Sequence, residues 1–130
     1  MRYFIAFTLA LFLAACDTPR PASPILGDVI AAIVTELNAD KGERMDGGVI
    51  LDGARAQGNT VVASFILTEH VEDLRTLPRE TRDAVFSAFI RREACADANM
   101  SVFFGLGGRL QFDFLAPNRE LLSSAAIDRC

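Results

Sequence analysis

The sequence predicts an α+β domain in which a four-stranded antiparallel sheet, built of two hairpins, carries two to three helices on one face. The element order is α-ββ-α-α-ββ. Three observations lead there. Apolar residues recur at helical spacing between Leu26 and Leu37 and again between Val85 and Ile90. They alternate with period two over Arg109–Phe114, and a β-rich apolar run fills Val61–Leu67. Glycine, proline and asparagine cluster between these segments, at Gly47-Gly48, Gln57-Gly58-Asn59 and Ala116-Pro117-Asn118-Arg119.

Ser23-Pro24 reads as an N-cap with proline at the first helical position. Leu26, Val29, Ile30, Ile33 and Leu37 then form one stripe, with Asp28, Thr35 and Glu36 off it, and the helix is expected to end near Asn38 to Lys41, with Gly42 beyond. Val49-Ile50-Leu51 and Val61–Leu67 make an antiparallel pair that turns at Gln57-Gly58-Asn59. Both faces of the second strand are apolar, which places it centrally. Thr68–Leu77 reads as a charged connector. A helix starting around Pro78 buries Val85, Phe86, Phe89 and Ile90 and turns Arg79, Glu80, Asp83, Arg91, Arg92 and Glu93 to water. A shorter helix from about Asp97 to Phe104 stops at Gly105. The strand Arg109–Phe114 follows, and Leu121–Ile127 returns antiparallel to it.

The N-terminus carries an address. Arg2 supplies one positive charge, and Phe4 to Ala15 is apolar except for Thr8. The run falls short of the roughly 20 residues a spanning helix needs, and it has the pattern of a secretory signal peptide. Leu13-Ala14-Ala15-Cys16 resembles the bacterial lipobox. That resemblance implies cleavage before Cys16, acylation of its thiol and new amine, and a stable bilayer anchor, since each buried CH₂ contributes about 0.8 kcal/mol. Residues 1–15 are then a signal peptide, 16–23 a lipidated Pro-rich tether and 24–130 the folded domain. The alternative is an ordinary signal peptide cut near Ala15. Asp17 resembles the inner-membrane retention signal of enteric lipoproteins, with inner and outer membrane both left open. The expected location is the periplasm-facing side of the cell envelope.

Without residues 1–15, 12 basic residues face 17 acidic ones, a net charge near −5 on 115 residues. Dispersed arginines on an acidic chain argue against a nucleic-acid partner. Once Cys16 is lipidated, Cys95 and Cys130 remain, and in an oxidising compartment two cysteines read as a disulfide. A metal pair or a reactive thiol would lack further Cys or His ligands.

Catalytic patterns are sparse. His70, the one histidine, lies in Thr68-Glu69-His70-Val71-Glu72-Asp73, where a metal site or an acid–base pair would have to be assembled from it and nearby carboxylates. Gly105-Leu106-Gly107-Gly108 leads from a helix into a strand, the reverse of a phosphate cradle, and so reads as a helix cap. No serine lies in G-x-S-x-G. The Asp52 and Asp113 carboxylates and the Arg91-Arg92 pair are further candidates whose roles depend on the fold. The sequence therefore predicts a non-enzymatic protein without metal or cofactor.

The segment Cys95…Asn99-Met100…Phe103-Phe104-Gly105-Leu106-Gly107-Gly108-Arg109-Leu110-Gln111-Phe112-Asp113-Phe114…Cys130 resembles a widespread group of small periplasmic domains. In these a cysteine precedes a short helix, a glycine leads into an aromatic-rich hairpin, and a final cysteine closes the chain. The group includes a type II secretion pilotin, a lipoprotein that escorts an outer-membrane secretin. Over residues 28–130 the resemblance implies the same fold and disulfide. Pro117-Asn118-Arg119 replaces the usual Asp-Gly at the hairpin turn. The implied function is a lipid-anchored module that binds or assembles a protein partner. Two surfaces are expected to serve it: the groove between the first helix and the sheet, or the open sheet face with Arg109, Gln111 and Asp113. A small ligand-binding protein or hydrolase built on His70, and a periplasmic inhibitor presenting Thr68–Leu77, are the rival readings.

Overall fold

The computed structural model describes residues 23–130. The expected signal peptide over 1–15, the acylation of Cys16 and the tether before Ser23 lie outside the described residues. Helix α1 (Pro24–Ala39) is followed by strands β1 (Arg44–Met45), β2 (Val49–Gln57) and β3 (Thr60–Leu67). Helices α2 (Val71–Thr76), α3 (Arg79–Cys95) and α4 (Ala98–Gly105) then lead to strands β4 (Arg109–Leu115) and β5 (Leu121–Ile127).

Local chemistry sets the boundaries. The Ser23 hydroxyl accepts the Leu26 N–H at 3.0 Å, with Pro24 opening α1. Asp97 caps α4 by accepting the Asn99 N–H at 2.9 Å. Gly107 ends that helix in the left-handed region, at φ 92°, and donates to the Phe104 carbonyl. The glycine run is thus a helix cap. The tight turn Gly58-Asn59 joins β2 to β3, with Gly58 at φ 60°.

The two expected hairpins form, but the sheet they build is not a four-stranded antiparallel one. It is a five-stranded mixed sheet in the order β1-β2-β3-β4-β5, and β3 and β4 run parallel, with Val61 opposite Leu110 and Phe65 opposite Phe114. The cause is the connection. Helices α2, α3 and α4 form a crossover that returns the chain to the level at which β3 began, where the Arg109 N–H meets the Asn59 carbonyl. Parallel neighbours need such a helical return. The fifth strand is the two-residue β1, antiparallel to β2 at Arg44–Ile50 and Met45–Val49. Strand β2 also runs on through Asp52–Gln57, past a bulge between Leu51 and Gly53. The connector over Thr68–Leu77 contains α2.

Alternation along the strands sorts the sheet into two faces. Val61, Ala63, Phe65 and Leu67 join Leu110, Phe114, Ala125 and Ile127 in one core with Leu26 and Ile30 of α1, Ile90 of α3 and Phe103 of α4. Burying one such side chain contributes about 1.5–3 kcal/mol. Helix α1 packs over β2 and β3, and α3 over β5. Cys95, at the end of α3, is bonded to Cys130 (S–S 2.12 Å, Cα–Cα 5.8 Å), which fastens that helix to the chain end just past β5. Near the other end of α3, the Ser123 hydroxyl donates to the Asp83 carboxylate. Asp83, expected on the wet face, is therefore turned partly inward. Among the described residues, no helix is long and apolar enough to cross a membrane.

Candidate functional site

Between α1 and α3 the helical layer is incomplete. α1 covers one side of the sheet and α3 the other, and among the described residues no helix backbone packs closely over β4. The inward side chains of β3 and β4 form the floor of the resulting gap: Phe65, Leu110, Phe112 and Phe114. Phe65 stacks on Phe112 and Phe114 at centroid distances of 5.6 and 5.7 Å, and Phe86 of α3 lies 4.1 Å from Phe114. Ile33 and Leu37 of α1 form one wall, and Val85, Phe86, Phe89 and Ile90 of α3 the other. The result is an apolar groove of about 690 Å³, within the usual range of small-molecule sites.

The α3 stripe read from sequence as wholly buried is split by this groove. Ile90 is 5% exposed, whereas Val85 is 57% and Phe89 46% exposed, and Met45 on the opposite rim is 52% exposed. The physical reason is that α3 leans over β5, so the side of its stripe facing α1 has no partner. Large apolar side chains held half in water around a groove mark an interaction surface. We expect Phe89→Ser to cost about 1 kcal/mol of stability or less, since half its surface is already wet. Ile90→Ala should cost about 2–5 kcal/mol. Urea midpoints of the two variants check this, and equal losses would make the rim structural.

Arg109, Gln111 and Asp113 lie on the opposite face of the sheet, away from α1 and α3. Gln111 Nε2 donates to Asp113 Oδ1 at 3.1 Å, and the Ser124 hydroxyl donates to the same oxygen at 2.7 Å. Arg109 is exposed beside them. Asp52 does not join Asp113. It takes two hydrogen bonds from Arg119, at 2.6 and 3.2 Å, and these bonds, then its charge, raise the guanidinium pKa above its ordinary value. A shallow polar hollow of about 240 Å³ sits at the β2 bulge. There the Asn38 amide bonds both the N–H and the C=O of Ala54 and fixes the end of α1.

His70 stands apart from the groove. It precedes α2 at φ 57°, is well exposed, and its Nδ1 lies 3.4 Å from Asp73 Oδ2. Its carboxylate neighbours face other partners: Glu72 bonds Arg75, and Glu69 lies 3.9 Å from Arg44. Among the described residues, no group of three or more His, Cys, Asp or Glu could hold a metal ion. Sequence reasoning missed that the floor and the α3 stripe belong to one open groove. Its one legible signal was Val85, Phe86, Phe89 and Ile90, four large apolar residues on an otherwise charged helix.

Three solved structures share the fold. A protein of Pseudomonas aeruginosa described as secreted superposes with a TM-score of 0.66 at 14% identity, covering 79% of this chain and 88% of that one. The type II secretion system pilotin AspS of Vibrio cholerae gives 0.53 at 16% identity, covering 79% and 84%. The type 2 secretion system pilotin EpsS of Vibrio vulnificus gives 0.60 at 14% identity, covering 78% and 86%. No protein-family model matches the chain, and no curated protein sequence does.

Proposed function

We propose that this protein is a membrane-tethered accessory of the cell envelope that docks a partner protein in its apolar groove, in the manner of a secretion pilotin. The observation that carries the reading is the groove itself, with Val85, Phe89 and Met45 left about half exposed on its rims. A protein segment laid there would bury apolar surface worth about 25 cal/mol per Å² before ordering costs. The fold shared with AspS and EpsS supports the pilotin-like role. The lipobox-like Leu13-Ala14-Ala15-Cys16 supports a tether through an acylated Cys16, facing the periplasm. The particular version is an escort of an outer-membrane channel subunit, which the sequence resemblance implies. The Arg109, Gln111 and Asp113 face is then free for a second contact or for solvent.

Site-specific photocrosslinking in native membranes tests this. A photoreactive residue at Phe89 should give one dominant adduct with an envelope protein, and a probe at Arg109 should not. Replacing the anchor by Cys16→Ser should abolish the adduct. A product from Arg109 alone would move the interface to the open sheet face. No adduct from either position would reject the docking role.

A further inference from the structure

We infer that the groove is a binding site for a small hydrophobic cation, a single apolar chain that carries an ammonium group. This goes beyond the docking role and stands on the chemistry of the lining alone. Among the described residues, the side chains that line the groove include no hydrogen-bond donor. They are apolar except for three carboxylates, Asp46, Glu93 and Asp97, and an ionised carboxylate only accepts. A ligand with a carboxylate, phosphate or sulfate head would find no donor side chain there and would set an anion against these acids. A sugar would leave its own acceptors without side-chain partners over an apolar floor. The lining complements apolar surface joined to positive charge.

Five phenylalanines supply the rest of the match: Phe65, Phe112 and Phe114 on the floor, Phe86 and Phe89 on the α3 wall. Aromatic rings attract cations through the negative face of the π-system, and clustered rings are a recurring means of holding quaternary ammonium ligands. One ring of this set already has a cation over it, since the Arg92 guanidinium lies 5.5 Å from the Phe89 centroid. Arg92 also meets Glu93 at 3.1 Å, so the charge of that acid is partly answered. Asp97 accepts the Asn99 N–H as the cap of α4. Asp46 makes no ion pair among the described residues, and it is the acid left to meet the ammonium. It follows Met45 at the Phe114 end of the floor, where Phe86 lies 4.1 Å from Phe114. From Phe114 to Leu110 the floor runs four strand steps, about 13 Å, which suits a decyl chain laid along Phe112. A ligand so placed covers the Phe112 floor beside Phe89, the surface on which a partner segment would rest. Its binding and partner docking therefore exclude each other.

The test is calorimetric titration of the full chain with decyltrimethylammonium, decyl sulfate and uncharged decyl maltoside, each below its micelle-forming concentration. The ammonium compound should bind about tenfold more tightly than the sulfate at an ionic strength of about 0.01 M, with the difference shrinking toward about 0.15 M as the Debye length falls. The chain is acidic as a whole, so variants must separate the groove from the remaining surface. Asp46→Asn should reduce the preference to about twofold or less. Phe89→Leu with Phe112→Leu keeps apolar bulk and removes two rings. That pair should weaken the ammonium compound about fivefold and the maltoside by about twofold or less. Equal binding of ammonium and sulfate would overturn the proposal, as would binding of none of the three. A preference that both sets of variants leave unchanged would place the cation elsewhere on the acidic surface and overturn it as well. So would capture by phosphatidylcholine vesicles without binding of the free amphiphile, which would mark a membrane contact instead. In each of these cases a Phe89 crosslink to an envelope protein would still stand, so the docking role is decided by its own test.

Discussion

Reducing the Cys95–Cys130 disulfide is expected to lower the unfolding free energy by about 4 kcal/mol. The bridge spans 35 residues of sequence, and closing a loop of that size removes chain entropy from the denatured state by roughly that amount. The mechanism has a second signature. A chain without the cross-link exposes more surface on unfolding, so the urea dependence should steepen as the midpoint falls. Paired urea titrations with and without reductant measure both quantities, and Cys95→Ala with Cys130→Ala should reproduce the reduced values. A loss below about 1 kcal/mol would mean that the contacts of α3 with β5 already hold that end of the domain. The effect bears on the groove, because the bridge fastens the C-terminal end of the helix that forms one wall. Reduced protein that stays folded should bind groove ligands more weakly, since ordering α3 would then oppose binding.

How far the sequence could be read divides along the range of the interactions. Short-range chemistry was legible. Ser23-Pro24 opens α1, α4 begins at Asp97 and ends in the Gly105–Gly108 run, one residue later than the stop read at Gly105, and the alternation from Arg109 to Phe114 gives β4 and places Arg109, Gln111 and Asp113 on one face. Cys95 and Cys130 pair with each other. The parallel join of β3 to β4 was not legible, because it depends on where a crossover of three helices delivers the chain. No residue of either strand encodes that. The extension of β2 was hidden by Asp52-Gly53, which looks like a turn but forms a bulge inside the strand. Helix α2 was hidden because Val71–Thr76 is too short and too charged to show a periodicity. A groove between α1 and the sheet was expected, but its second wall on α3 escaped for a related reason. An apolar stripe announces that Phe86 and Phe89 seek a partner, but not whether that partner belongs to the same chain.

Truncating Phe103 to alanine is expected to destabilise the fold by about 3–5 kcal/mol, and its dependence on Gly108 makes the value diagnostic. Phe103 is 2% exposed, and its ring lies so close to Gly108 that an added Cβ would stand 2.4 Å from the nearest ring carbon. That contact holds α4 against the start of β4, where Met100 and Leu110 close one end of the groove. Gly108→Ala alone should therefore cost about 1–3 kcal/mol, because a buried ring has little room to retreat. The penalty is steric, not conformational: the left-handed residue of this turn is Gly107, and Gly108 is not among the positive-φ residues. In a Phe103→Ala background the same methyl enters space the ring has left. The double variant should thus lose less than the sum of the single losses, with a coupling of about 1 kcal/mol or more. Urea midpoints of the four proteins close the cycle. Additivity to within about 0.5 kcal/mol would mean that the ring does not abut Gly108, and that α4 is held to the sheet by other contacts.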